Sequence, residues 1–97
     1  MSRVDQAKML LKARKLQKEL KNTLIEVSKG DGAVVIEING EQKIKKVKLN
    51  KDLIDLDDIS ELERNIEDAI RDAIAESQKL AQEKMQPMMG MLGSLGL

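Results

Sequence analysis

The 97-residue chain has no cysteine, no histidine, no phenylalanine, tyrosine or tryptophan, and one proline. Each absence removes a class of function. Without cysteine there are no disulfides and no thiolate metal sites. Without histidine or cysteine, acid–base chemistry near neutral pH would rest on carboxylates or lysines with strongly displaced pKa values. No nucleophile stands beside a base and no ligand cluster has metal spacing, so an enzyme, a cofactor and a small-molecule substrate are not expected. Without aromatic rings there is no stacking platform for single strands or splayed RNA bases. The core must be built from Leu, Ile, Val, Ala and Met, which bury less area per side chain than aromatic residues. A monomer so built would be thinly stabilised, a first pointer to self-association. No apolar run has signal-peptide length or approaches the roughly 18 residues of a membrane helix, so a soluble cytoplasmic protein with no membrane partner is expected.

Charge is present in quantity, and it is segregated. The formal net charge is zero, yet residues 1 to 21 carry seven basic and two acidic side chains (+5), residues 22 to 50 are nearly balanced (+1), and residues 51 to 97 sum to −6. Such a distribution allows a basic surface on a neutral protein, although solvated helix faces would give the same count.

Ser2 to about Lys21 reads as a helix rich in strong helix formers, with Ser2 as N-cap and Asp5 in the first turn. Its apolar residues form two stripes. Met9, Ala13, Leu16 and Leu20 share one face, and Val4, Ala7 and Leu11 lie nearly opposite, so the helix needs two partners: its own chain and, most simply, a second copy. Lys8, Lys12 and Lys15 form a basic stripe beside them.

Three strands follow. Thr23 to Ser28 alternates, and Lys29-Gly30-Asp31-Gly32 is a turn. As a phosphate cradle this Gly-x-Gly is a weak candidate, because it joins two strands and not a strand to a helix. In the next run Val34, Ile36 and Ile38 share a face. Asn39-Gly40 then reads as the centre of a type I′ hairpin turn. In the third strand Ile44 is out of phase with Val47 and Leu49, and a bulge near Lys45-Lys46 would restore the face. Lys43, Lys45, Lys46 and Lys48 on this strand suit either edge protection or a ligand surface.

Asn50 to Asp58 is a polar connector with Leu53, Ile54 and Leu56 as anchors. Asp58 or Ser60 caps a long helix running to about Gln86, where Pro87 ends it. Leu62, Ile66, Ala69, Ile70, Ala73, Ile74, Ser77, Leu80 and Ala81 make one apolar stripe. At about 1.5 Å per residue the helix is roughly 40 Å long against about 20 Å for the strands, so it overhangs the sheet, a second pointer to a dimer. The expected organisation is one domain over residues 1–86 and a flexible Met/Gly/Leu tail over 87–97, either disordered or docking on a partner through adaptable methionines.

The whole order resembles the YbaB/EbfC family of nucleoid-associated proteins. The resemblance is carried by Gly32-Ala33-Val34-Val35-Ile36-Glu37-Ile38-Asn39-Gly40, by Ile44-Lys45-Lys46-Val47-Lys48-Leu49, by Asp57-Asp58 leading into Leu62-Glu63, and by Glu83-Lys84-Met85. It implies an α+β fold, two layers in the order α-β-β-β-α with a three-stranded antiparallel sheet. It further implies a homodimer with projecting helices and duplex DNA as partner on the bacterial nucleoid. The chain departs from many members in a shorter loop between the first two strands and in lacking an aromatic or proline-rich ending. From the charge pattern, the expected DNA contacts are Lys8, Lys12, Arg14, Lys15 and Lys18, with Lys45 and Lys46 as a second set. The expected dimer interface is Val4, Ala7, Leu11, Ile74, Leu80 and Ala81. The competing reading is a protein-interaction module that uses the long helices and the Met-rich tail without touching DNA.

Overall fold

The computed structural model describes the backbone of residues 2–94 and the side chains of residues 2–90. Helix α1 (Arg3–Asn22) leads into strands β1 (Leu24–Lys29), β2 (Val34–Asn39) and β3 (Ile44–Leu49), then a short 3-10 turn (Lys51–Leu53) and helix α2 (Ile59–Ser94). The strands form an antiparallel sheet in the order β1-β2-β3. This is the expected α-β-β-β-α fold.

Local chemistry sets the element ends. The Ser2 hydroxyl accepts from the Asp5 amide at 3.1 Å at the start of α1, and Asp58 Oδ1 accepts from the Glu61 amide at 3.2 Å at the start of α2; each satisfies an orphan donor of a first turn. The connector behaves differently from the expectation. Ile54 packs on the core, but Leu53 and Leu56 are exposed, in and just after the short turn whose Asp52 amide donates to the Asn50 side chain.

The core is small and lies between α2 and two of the three strands. Val34, Ile36 and Ile38 of β2, Val27 of β1, and Ala33, Ala69 and Ala73 are buried, with Ile25, Ile54, Leu62 and Ile66 packed around them. Alanine at positions 69 and 73 lets the helix approach the sheet closely. In β3 the bulge is present: Glu37 pairs with Lys46 and Ile38 with Ile44, so Lys45 is the extra residue. The shift puts Ile44, Val47 and Leu49 on the α2 side of the sheet. Nevertheless all of β3 is exposed, because α2 lies over β1 and β2 and touches no part of β3 among the described residues. Ile59, Ile70 and Ile74 are exposed on α2 as well. By the helical period these three sit on the shoulder opposite Asp72. Asp72 faces β1 through an ion pair with Lys29 at 2.7 Å, so the isoleucines flank the open side of the sheet.

That ion pair gives a pH signature. The hydrogen bond that Lys29 donates to Asp72, then the charge of Asp72 and more weakly that of Asp68, raise the Lys29 pKa above its ordinary 10.5, against an opposing effect of burial. A raised lysine pKa stabilises the fold fully below the unfolded value, and the contribution is lost as pH rises through the folded value. The stability difference between the parent and Lys29→Gln should therefore stay constant from neutral pH to about pH 10 and close above it. Thermal melts across that range check this; a difference unchanged at higher pH would contradict it. The pair is partly exposed, so the difference is small.

Two expectations are corrected. Pro87 does not end the long helix, which continues through it to Ser94. The missing proline N–H removes one backbone bond, a loss the helix tolerates here; Pro87 and Met88 line a groove with Leu16 of α1, and residues 95–97 of the expected tail lie outside the described residues. Asn39-Gly40 is also not a type I′ centre. Asn39 stays in β2, the Gln42 amide closes the turn on the Asn39 carbonyl at 3.2 Å, and the positive φ falls on Gln42 at 64°.

Gly40 is needed for a different reason, close approach. Its amide donates to the Leu20 carbonyl at 2.8 Å, and a Cβ there would stand 2.9 Å from that oxygen and 3.0 Å from the Leu20 Cα. Around this contact three elements are tied together. Asn39 is fully buried; its Oδ1 accepts from the amides of Glu41 at 2.9 Å and Lys43 at 3.0 Å, and its Nδ2 donates to the Lys21 carbonyl at 3.1 Å. Ser77 of α2 donates to the Asn39 carbonyl at 2.7 Å and accepts from the Gln42 amide at 3.0 Å. The end of α1, the hairpin turn and the middle of α2 are therefore locked at one point.

Candidate nucleic-acid interface

Beyond that lock, α1 and the second half of α2 run side by side as an arm, in a molecule 64 Å long and 20 Å wide. Met9, Ala13, Leu16 and Leu20 are the half-buried apolar residues of α1; this stripe packs on its own chain, along α2 and, at Leu20, against Gly40 of the hairpin. Val4 and Leu11 are 62% and 65% exposed.

The basic residues of α1 spread over two flanks. Lys12 and Lys15 border α2, in a groove with Leu16, Glu19, Lys84, Pro87 and Met88. Arg14, Lys18 and Lys21 border the hairpin, in an open groove with Gln17, Asn22, Glu41 and Lys43. Lys21 and Asn22 continue into a depression shared with Leu24 and Lys45. Lys15 and Lys18 meet where the flanks join, beside Asn22, Thr23 and Lys84.

The structure therefore gathers Lys8, Lys12, Arg14, Lys15 and Lys18 on one helix and brings Lys45 to its end. It separates Lys46, which pairs in register with Glu37 on the sheet face turned away from α2. Lys21 and Lys43 belong with the gathered set and were not expected. Lys21 continues from Arg14 and Lys18 at helical spacing, a signal present in the sequence; Lys43 is one of the lysines that suit a ligand surface, but its place beside α1 is set by the hairpin. The densest run of acids lies far from this set, while Glu41 shares the hairpin groove with it and Glu76 and Glu83 sit on the second half of α2. Asp52, Asp55, Asp57, Asp58 and Glu61 belong to the connector and the start of α2, roughly 37 Å along the helix from Lys84 at about 1.5 Å per residue. Of the acids in α1, Asp5 accepts from the Ser2 hydroxyl at 2.9 Å and Glu19 lies 3.9 Å from Lys84.

The residues expected at a dimer interface fall on separate surfaces. Ile74 lies on the shoulder beside the uncovered strand, Leu80 and Ala81 are half-buried within the chain, and Val4, Ala7 and Leu11 face away from α2. Among the described residues no group of three or more acidic, histidine or cysteine side chains is placed to hold a metal, and no helix is long and apolar enough to cross a membrane.

The sequence matches the YbaB/EbfC DNA-binding family over residues 2–92. The chain belongs to that family. Relatives agree: it is 35% identical over 82 residues to a nucleoid-associated protein of Chloroflexus aurantiacus, covering 84% of this chain and 82% of the relative. It is also 35% identical over 88 residues to a nucleoid-associated protein of Ruminiclostridium cellulolyticum, covering 91% and 76%. The crystal structure of an uncharacterized Helicobacter pylori protein superposes with a TM-score of 0.77 at 18% identity, covering 87% of this chain and 88% of that one; the likeness extends the YbaB-type fold and nothing more.

Proposed function

We propose that this YbaB/EbfC protein binds duplex DNA on the nucleoid, as a homodimer, through the basic flanks of α1. The observation that carries the reading is the gathering of Lys8, Lys12, Arg14, Lys15, Lys18 and Lys21 on α1, with Lys43 of the hairpin in the groove beside Arg14, Lys18 and Lys21 and the densest run of acids in the connector and the start of α2. Phosphate contacts by Lys and Arg supply affinity without reading sequence. A chain lacking aromatic rings has no means of stacking on single strands, which favours the duplex. Affinity falls steeply with salt in this arrangement, and fluorescence anisotropy with a labelled duplex across a salt series tests it; binding that is absent, or independent of salt, contradicts it.

The dimer is supported by the uncovered apolar trough of Ile44, Val47 and Leu49 on β3 with Ile59, Ile70 and Ile74 on α2. A two-fold partner would bury it and present two basic arms to one duplex. Sedimentation should give a dimer at micromolar concentration and a monomer for Val47→Asp, whose charge would be stranded in the trough. A folded monomer of the parent chain at that concentration contradicts the dimer.

A further inference from the structure

We infer that α1 enters the major groove of the duplex, with Val4, Ala7 and Leu11 against thymine methyl groups and the two basic rows on the opposite phosphate walls. The inference rests on the proposed DNA binding and adds to it a groove and a base contact. At about 100° per residue, Val4, Ala7 and Leu11 form a narrow strip almost diametrically opposite the Met9–Leu20 face that packs on α2. Lys8, Lys12 and Lys15 lie on one side of this strip, and Arg3, Arg14 and Lys21 on the other, the two rows roughly 140° apart. Lys18 continues the line of the strip toward the sheet.

An apolar strip with a basic row on each side is the pattern that a groove imposes. The groove floor displays the thymine methyl, and both walls are phosphates. A helix about 10–12 Å across fits a major groove about 12 Å wide. A second copy of α1 is the other occupant that an apolar strip could take, and the charge pattern opposes it. The strip covers only the first half of the helix before Arg14 and Lys18 interrupt it, and either orientation of a second α1 would set lysine and arginine rows against each other. Phosphates complement those rows. The helix's acids offer no repulsion, since Asp5 is turned to the N-cap and Glu19 to Lys84.

The test uses two duplexes of one sequence, one with thymine and one with uracil throughout, which differ by the C5 methyl. The full chain should bind the uracil duplex more weakly, by about fourfold per methyl contact. Val4→Ala with Leu11→Ala, both exposed positions where alanine favours the helix, should close that gap and leave the salt dependence unchanged. Equal binding of the two duplexes by the parent chain, with salt dependence intact, overturns the groove contact and leaves the DNA-binding reading standing. Conversion of the double variant to a monomer overturns it in favour of a self-association face. Absence of any duplex binding overturns both readings.

Discussion

Gly40→Ala is expected to lower stability by about 2–3 kcal/mol, or roughly 10–20 °C in melting temperature for a domain of this size. The new methyl would stand 2.9 Å from the Leu20 carbonyl oxygen and 2.8 Å from its Cδ2. The first of these atoms is backbone and cannot swing aside. Relief requires α1 to move off the hairpin, and that movement stretches the Gly40-to-Leu20 hydrogen bond and the Asn39 contact with Lys21. Gly90→Ala is the control, a helical glycine with nothing within 4 Å of the added carbon; it should be neutral or stabilising by up to about 1 kcal/mol. Melting both variants at one protein concentration keeps any self-association from confounding the comparison. An unchanged melting temperature for Gly40→Ala would show that α1 is not anchored at this turn.

Neutralising the two basic flanks of α1, the one beside α2 and the one beside the hairpin, should have the largest effect on DNA binding. Lys8, Lys12 and Lys15 replaced by Gln, or Arg14, Lys18 and Lys21 replaced by Gln, each remove three cations while nearly preserving helix propensity. Each triple change should reduce the slope of log K against log salt by about 0.9 per lost contact, nearly 3 per chain. Both together should abolish measurable binding near physiological salt. Lys46→Gln, opposite Glu37 on the far sheet face, should leave the slope unaltered. A six-fold variant that stays dimeric and binds duplex with the original slope would remove α1 from the interface.

Much of this architecture is legible in local sequence, and where it is not the reason is tertiary. The Ser2 and Asp58 caps and the bulge at Lys45 follow from residues within a few positions of each other, so pattern reveals them. Asn39-Gly40 marks a turn correctly, but its requirement comes from Leu20, Lys21 and Ser77, far away in the chain, and local rules assign it the wrong turn type. Pro87 looks like a stop because local rules weigh its missing N–H and ring clash, a cost that the helix nevertheless bears. The flanks of α1, like the turn, are a non-local case. Helical spacing predicts rows of lysine, but which row borders the hairpin, and so recruits Lys43 and Lys45 and leaves Lys46 out, depends on the packing of α1 against α2. The exposure of β3 is equally non-local, since its apolar residues read as core until α2 is seen to stop at β2.

The most direct measurement is an amide NMR titration of the full chain with a short duplex at low salt. The account predicts shift changes along residues 3–22 and at Lys43 and Lys45, with residues 52–72 of the acidic end unmoved. Perturbations concentrated on the sheet or on the first half of α2, with α1 silent, would contradict it.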